Sequence, residues 1–188
     1  YIADVPTSGD LDVTTLGPLI ADIMPEESIV SDESATSSLI VTPHALQAKP
    51  HDWLALTGGS IGQGLPLAIG ASIAKPDRPV ITLHGDGGAM YTVQALWTQA
   101  RENLNITNII FSNRSYEILK IELDRVQAVE TGERAASMFS MDNPPIDWVN
   151  LAESMGVQGY KPKTVKDFKD VFSKSVNESG PSLIEIEI

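Results

Sequence analysis

The 188-residue chain contains no cysteine. That excludes disulfides, thiolate metal centres and a cysteine nucleophile, and leaves the compartment open. Basic residues are scarce: 13 Lys and Arg stand against 25 Asp and Glu, for a formal net charge of −12. Nucleic acids and anionic membranes attract basic surfaces, so neither fits as the main partner. Histidine occurs three times, as His44, His51 and His84, and no pair has zinc-ligand spacing. Each reads as a structural or surface residue. No apolar run approaches the roughly 20 residues that cross a bilayer. No signal peptide is visible, and the chain starts at Tyr1 rather than at Met. We expect a piece of a longer protein, with the cytoplasm as its compartment.

Hydrophobic residues make up 42% of the chain, enough to build a core for one domain. Residues 1–11, with Pro6, Ser8 and Gly9, read as a linker from an upstream region, and residues 12–188 as the domain. Short apolar or alternating runs predict strands at 28–31, 52–57, 79–84, 106–112, 158–161 and 183–188. Helical spacing of apolar residues fills the intervals at 16–23, 65–74, 116–126 and 147–155. A further helix is expected from Met90 through Leu104, and another from Thr164, with Asp167 as its capping-box partner. Residues 43–50 and 127–146 read as loops, and Trp53, Trp97 and Trp148 as core. Alternating strands and helices predict an α/β fold with a doubly wound parallel sheet, whose ligands bind beyond the carboxyl ends of the strands.

The chemistry gathers at those ends. Ile81-Thr82-Leu83-His84 runs into Gly85-Asp86-Gly87-Gly88, a carboxylate at a strand tip between glycines, where a helix opens. Asn113 ends the next strand, 27 residues after Asp86. A bare Asp-Gly is as readily an ordinary turn. The pair, however, offers two hard oxygens, and a backbone carbonyl at Ser115 a third, which suits Mg²⁺ shared with phosphate oxygens and water. The N–H groups of Gly87 and Gly88 face the same spot. A divalent cation also explains how so acidic a chain could hold a phosphate. Gly58-Gly59-Ser60-Ile61-Gly62 matches a serine nucleophile elbow between a strand and a helix. The only later histidine is His84, so a triad cannot be completed in the usual order, and a dinucleotide fingerprint is absent from the same glycines.

Several motifs, in order and spacing, resemble the thiamin diphosphate-binding domain of acetolactate synthases and benzoylformate decarboxylases. They are Gly85-Asp86-Gly87 with Asn113, the block from Gly59 to Ala71, Ala95-Leu96-Trp97 and Gly180-Pro181-Ser182-Leu183-Ile184-Glu185. The resemblance implies a six-stranded parallel sheet with helices on both faces, and thiamin diphosphate and Mg²⁺ as cofactors. By position, Asp86, Asn113 and Ser115 would ligate the metal. Ala35, Thr36, Gly87, Gly88 and Tyr116 would line the diphosphate site. Gly59 would accept from the aminopyrimidine amino group. Ile61 would carry the catalytic role of holding the cofactor bent, so that its own imino nitrogen reaches the thiazolium C2 proton.

Two departures are visible. Ser112-Asn113 stands where the family usually has Asn-Asn, with the ligand position kept, and the Tyr-Gly continuation is missing from residues 114–119. The family's activating Glu belongs to a pyrimidine-binding domain that precedes this one, usually on a partner chain. The implied partners are therefore a 2-keto acid substrate, a pyrimidine-binding domain of the same or a partner chain, and a homo-oligomer. The implied activity is an acetolactate synthase-like carboligase or decarboxylase. The alternatives are a benzoylformate decarboxylase-like lyase and a cofactor-binding module inactive on its own.

Overall fold

The computed structural model describes residues 5–45, 47–126 and 132–188. Its centre is a six-stranded sheet in the order β2-β1-β3-β4-β6-β5, with every neighbouring pair parallel. The strands are β1 (Ile29–Glu33), β2 (Asp52–Ala55), β3 (Val80–Gly85), β4 (Ile106–Ser112), β5 (Gln158–Tyr160) and β6 (Ser182–Glu187). Every residue of β4 is buried, as is every residue of β3 but its last. A strand covered on both faces can be apolar throughout, which is why these two runs stand out in the sequence.

The helices are α1 (Val13–Ile23), α2 (Ser38–Ala45), α3 (Gly64–Ala74), α4 (Asp86–Ala89), α5 (Ala95–Arg101), α6 (Glu117–Arg125), α7 (Glu133–Ser137), α8 (Trp148–Ser154) and α9 (Val165–Asn177). Alternate strand residues point to opposite faces. Val30, Ile81, Leu83, Ile109, Phe111 and Ile184 pack with Leu16, Leu19 and Ile20 of α1, Val41 of α2 and Phe168 and Phe172 of α9. On the other face, Val80, Ile106, Ile110 and Leu183 meet Leu65 and Ala68 of α3, Leu96 of α5 and Trp148 of α8. This is the doubly wound sheet with helices on both faces expected from the sequence.

The helix ends have local causes. Asp12 accepts the N–H groups of Thr14 and Thr15 at the start of α1, and the Thr15 hydroxyl accepts the Asp12 N–H in return. At α9, Thr164 accepts the Asp167 N–H at 3.1 Å, but no return bond from the Asp167 carboxylate joins it among the described residues. The segment before α1 lies on the domain: Leu11 N–H donates to Lys163, and Val165 N–H to Gly9.

Some expectations need correcting. Pro43 lies inside α2, with its ring exposed, rather than opening a loop. A turn of 3-10 helix, Ala35–Ser37, feeds straight into α2 and carries it over that residue. The helix expected from Met90 is interrupted, since α4 ends at Ala89 and α5 starts only at Ala95. Trp97 is 53% exposed, next to buried Leu96 on α5, with Arg101 5.0 Å above its ring. Trp53 is only partly buried, whereas Trp148 is fully buried. Within the stretch expected as loop, α7 forms, and residues 127–131 lie outside the described residues.

Candidate functional site

The chain leaves β1 toward β2 on one side and leaves β3 toward β4 on the other. The switch point between β1 and β3 is where a doubly wound sheet opens a crevice at its carboxyl edge. A cleft lies there. Among its lining residues are Ala35, Thr36, Asp86, Gly87, Gly88, Asn113, Ser115 and Tyr116, from the segments that follow β1, β3 and β4. These are eight of the ten residues singled out from the sequence. The other two, Gly59 and Ile61, sit on the loop after β2 and do not line this cleft.

Asp86 is the best-placed group. It is 3% exposed, and it begins α4 directly beyond β3. Its Oδ1 accepts the Gly87 N–H at 2.8 Å, and its Oδ2 accepts the Arg114 N–H at 2.7 Å. Burial pushes its carboxyl up from the ordinary value, against the pull of the Arg114 and Gly87 N–H groups. A buried carboxylate whose charge is not fully offset suits a cation. Asn113 Oδ1 accepts the Ser115 N–H at 2.9 Å, which sets the turn after β4 beside Asp86. Among the described residues no three His, Cys, Asp or Glu side chains gather as a metal cluster. A cation here therefore depends on one carboxylate, amide and carbonyl oxygens, and oxygens brought by the ligand, the pattern of Mg²⁺ with phosphate.

The glycines are required by space. A Cβ on Gly87 would meet Tyr116 Cδ1 at 2.8 Å, so the tyrosine ring closes directly over the backbone of the Asp86 turn. The segment after α7 supports that ring's own backbone: Tyr116 N–H donates to Phe139 O at 2.9 Å, and Met141 N–H to Arg114 O at 2.7 Å. The donor chemistry, one carboxylate with amide and carbonyl oxygens beside a glycine turn in a cleft, fits a metal-bridged diphosphate.

The neighbouring 58–64 loop has Gly58, Gly59 and Gly62 at φ of 62°, 71° and 89°, in the left-handed region that favours glycine. Ile61 projects from it and is 57% exposed. Among the described residues no hydrogen bond joins Ser60 to a histidine; the buried ring of His84 meets Glu33 instead, so the hydrolase alternative loses its base.

Sequence reasoning missed Glu33, at the end of β1. It is 5% exposed and receives the Gly62 and Gly64 N–H groups. Burial pushes its carboxyl up, but the His84 contact and those two N–H groups outweigh that, and its pKa lies below the ordinary value. The sequence carried little signal for it, because Glu33 follows Ser31 and Asp32 and runs into a polar stretch.

Comparison with known proteins gives the family. A family profile described as "Thiamine pyrophosphate enzyme, C-terminal TPP binding domain" matches residues 35–186. The chain is 43% identical over 185 residues to the "Putative acetolactate synthase large subunit IlvX" of Mycobacterium tuberculosis, covering 98% of this chain and 36% of that protein. It is 26% identical over 178 residues to the benzoylformate decarboxylase of Pseudomonas aeruginosa, covering 95% and 32%. The solved thiamine diphosphate-dependent 4-hydroxybenzoylformate decarboxylase of Rhodococcus jostii RHA1 superposes with a TM-score of 0.83 at 31% identity, over 100% of this chain and 34% of that one. The chain spans about a third of the length of these relatives. With the profile covering most of its length, the chain belongs to the thiamine pyrophosphate enzyme family, as its C-terminal TPP-binding domain.

Proposed function

We propose that this domain holds the diphosphate end of thiamin diphosphate through Mg²⁺ in an acetolactate synthase-like enzyme acting on 2-keto acids. The observation that carries the reading is the meeting of buried Asp86 with Asn113, Ser115, Gly87 and Gly88 in one cleft at the switch point of the sheet. Asp86, Asn113 and the Ser115 carbonyl hold the cation. Gly87, Gly88, Ala35 and Thr36 border the diphosphate, and Tyr116 closes over Gly87. Gly59 and Ile61 face the pyrimidine half from the adjoining loop, whose other wall comes from a pyrimidine-binding domain of the same or a partner chain in a homo-oligomer. When bound, thiamin diphosphate supplies an electron sink for the pair left behind as a 2-keto acid loses CO₂.

The likeness to the Rhodococcus structure favours a second reading, a decarboxylase of aryl 2-keto acids. Product analysis with pyruvate and with benzoylformate separates the two. The site itself is tested by calorimetry on the full-length protein with thiamin diphosphate and Mg²⁺. Asp86→Ala abolishes Mg²⁺-dependent binding; unchanged affinity overturns the metal assignment.

A further inference from the structure

We propose that Glu33 and His84 are positioning residues that fix the 58–64 loop, and with it Ile61, against the 85–88 turn. The N–H groups of Ser60, Ile61 and Gln63 donate to carbonyls of the loop itself, those of Thr57, Gly59 and Ser60. Those of Gly62 and Gly64 point inward, and the Glu33 carboxylate takes both: Gly62 N–H to Oε1 at 2.5 Å and Gly64 N–H to Oε2 at 2.6 Å. The carbonyls of the same two glycines are also tied down, Gly62 O by the Thr92 hydroxyl at 2.7 Å and Gly64 O by the Ser31 hydroxyl at 2.9 Å. Ile61 thus stands on a loop anchored through Gly62 and Gly64 to β1 and to the bend after α4.

The pairing calls for a carboxylate. Two buried N–H groups need two acceptor oxygens, and a carboxamide has one, turning donors toward the other N–H. His84 completes the wedge. It pairs in register with Glu33 across β1 and β3 and is fully buried. Its Nε2 lies 3.1 Å from Glu33 Oε2, off the angle of a good hydrogen bond, so the contact is one of close packing. Its Nδ1 lies 3.1 Å from the Gly85 carbonyl. There is no spare volume on either side. A Cβ on Gly64 would come within 2.7 Å of His84 Cδ2, and one on Gly88 within 3.0 Å of both Glu33 Oε1 and His84 Cε1. The pair therefore sets the spacing between the loop carrying Ile61 and the turn carrying Asp86. What Ile61 meets rests on the thiamin diphosphate reading; the anchoring of the loop does not.

The test uses the full-length protein and two independent readouts. In the cofactor-free protein, Glu33→Gln speeds amide exchange of the peptide spanning 58–64 by about tenfold, while peptides of β3 and β4 are unchanged. By calorimetry with Mg²⁺, the same variant binds thiamin diphosphate about tenfold more weakly, with inorganic diphosphate unaffected. A merely structural role would weaken both ligands alike, and that outcome, or unchanged exchange at 58–64, overturns the proposal. If wild-type protein binds neither ligand, the cofactor reading fails, and the exchange result still decides the anchoring. Thr92→Val removes one anchor without touching a buried charge, so it serves if Glu33→Gln does not fold: faster exchange of 58–64 supports the anchored loop and no change refutes it. His84→Leu keeps bulk and removes both nitrogens; unchanged exchange there removes His84 from the pair.

Discussion

The Asp86 carboxylate accepts the Arg114 backbone N–H at 2.7 Å, joining the tip of β3 to the turn after β4. Arg114 makes that bond with φ at 53°, in the left-handed region. Its side chain meanwhile reaches away to Asp142 at 3.0 Å and to Glu187, all three partly exposed. Backbone and side chain therefore do separate jobs.

Replacing Arg114 separates them experimentally. Arg114→Gly loses two exposed ion pairs, worth little each, and relieves a left-handed conformation that costs about 1 kcal/mol. We expect cofactor affinity within about threefold of wild type by calorimetry. Arg114→Pro loses the N–H and cannot take a positive φ, so affinity falls about a hundredfold. Equal losses in the two variants would mean that the side chain, not the peptide, serves Asp86.

Gly87→Ala tests the cover over the turn. The new methyl meets Tyr116 Cδ1 at 2.8 Å and pushes the ring aside. Overpacking of this kind costs about 1–3 kcal/mol, and cofactor affinity drops about tenfold. Tyr116→Leu in the same protein recovers the methyl's part of that loss, and a double-mutant cycle measures it. Strictly additive effects would show that the two residues do not press on each other.

The strand tips were legible because β3 and β4 are buried almost throughout and read as largely β-branched and apolar runs, each ending in the polar residue that marks the carboxyl edge, Asp86 and Asn113. The break at 90–94 was not. Apolar spacing continues through it in Val93, Leu96 and Ala100, and the bend instead goes with Thr92 reaching the Gly62 carbonyl, 30 residues away in sequence. Glu33 was hidden for the same reason. In sequence it belongs to a polar stretch, and only the register of β1 with β3 puts it beside His84 and beneath the glycine loop. Trp97 misled because a helical pattern gives the period and not which side of a large residue faces the core.

Asn108 should matter for the fold rather than the site. Its Oδ1 accepts from Thr82 at 3.0 Å and Gln99 at 3.2 Å, and its Nδ2 donates to Gln99 at 2.8 Å and to the Ser182 carbonyl at 2.9 Å. All four of its hydrogen-bond positions are filled, linking β3, β4, β6 and α5 in the buried interior. Asn108→Ala strands those partners without water, at about 3 kcal/mol, or roughly 6–12 °C in Tm for a domain of this size. Differential scanning calorimetry checks the drop. Cofactor affinity measured well below Tm stays near wild type; a loss of affinity without a loss of Tm would place Asn108 in the site.

Glu185 predicts a pH dependence of the opposite sense to a stabilising ion pair. It is 1% exposed, and among the described residues neither oxygen has a well-formed hydrogen bond, although Lys161 Nζ lies 3.1 Å from Oε2. Burial pushes its carboxyl above the ordinary 4.5; Lys161 pulls it down and the neighbouring charge of Glu187 adds to the rise. The folded state thus binds the proton more tightly than the unfolded state. Stability attributable to this group is lost as pH climbs from the unfolded value through the raised folded one, because charging costs more inside the fold. Glu185→Gln imitates the protonated form. It should match wild type at acid pH and exceed it at pH 7 by about 1 kcal/mol, roughly 2–4 °C in Tm. Lys161 keeps Glu187 at 3.0 Å, so no cation is orphaned by the change. Thermal melts of both proteins across that pH range decide it: a wild type that is the more stable at pH 7 would show that the Lys161 pair outweighs the burial.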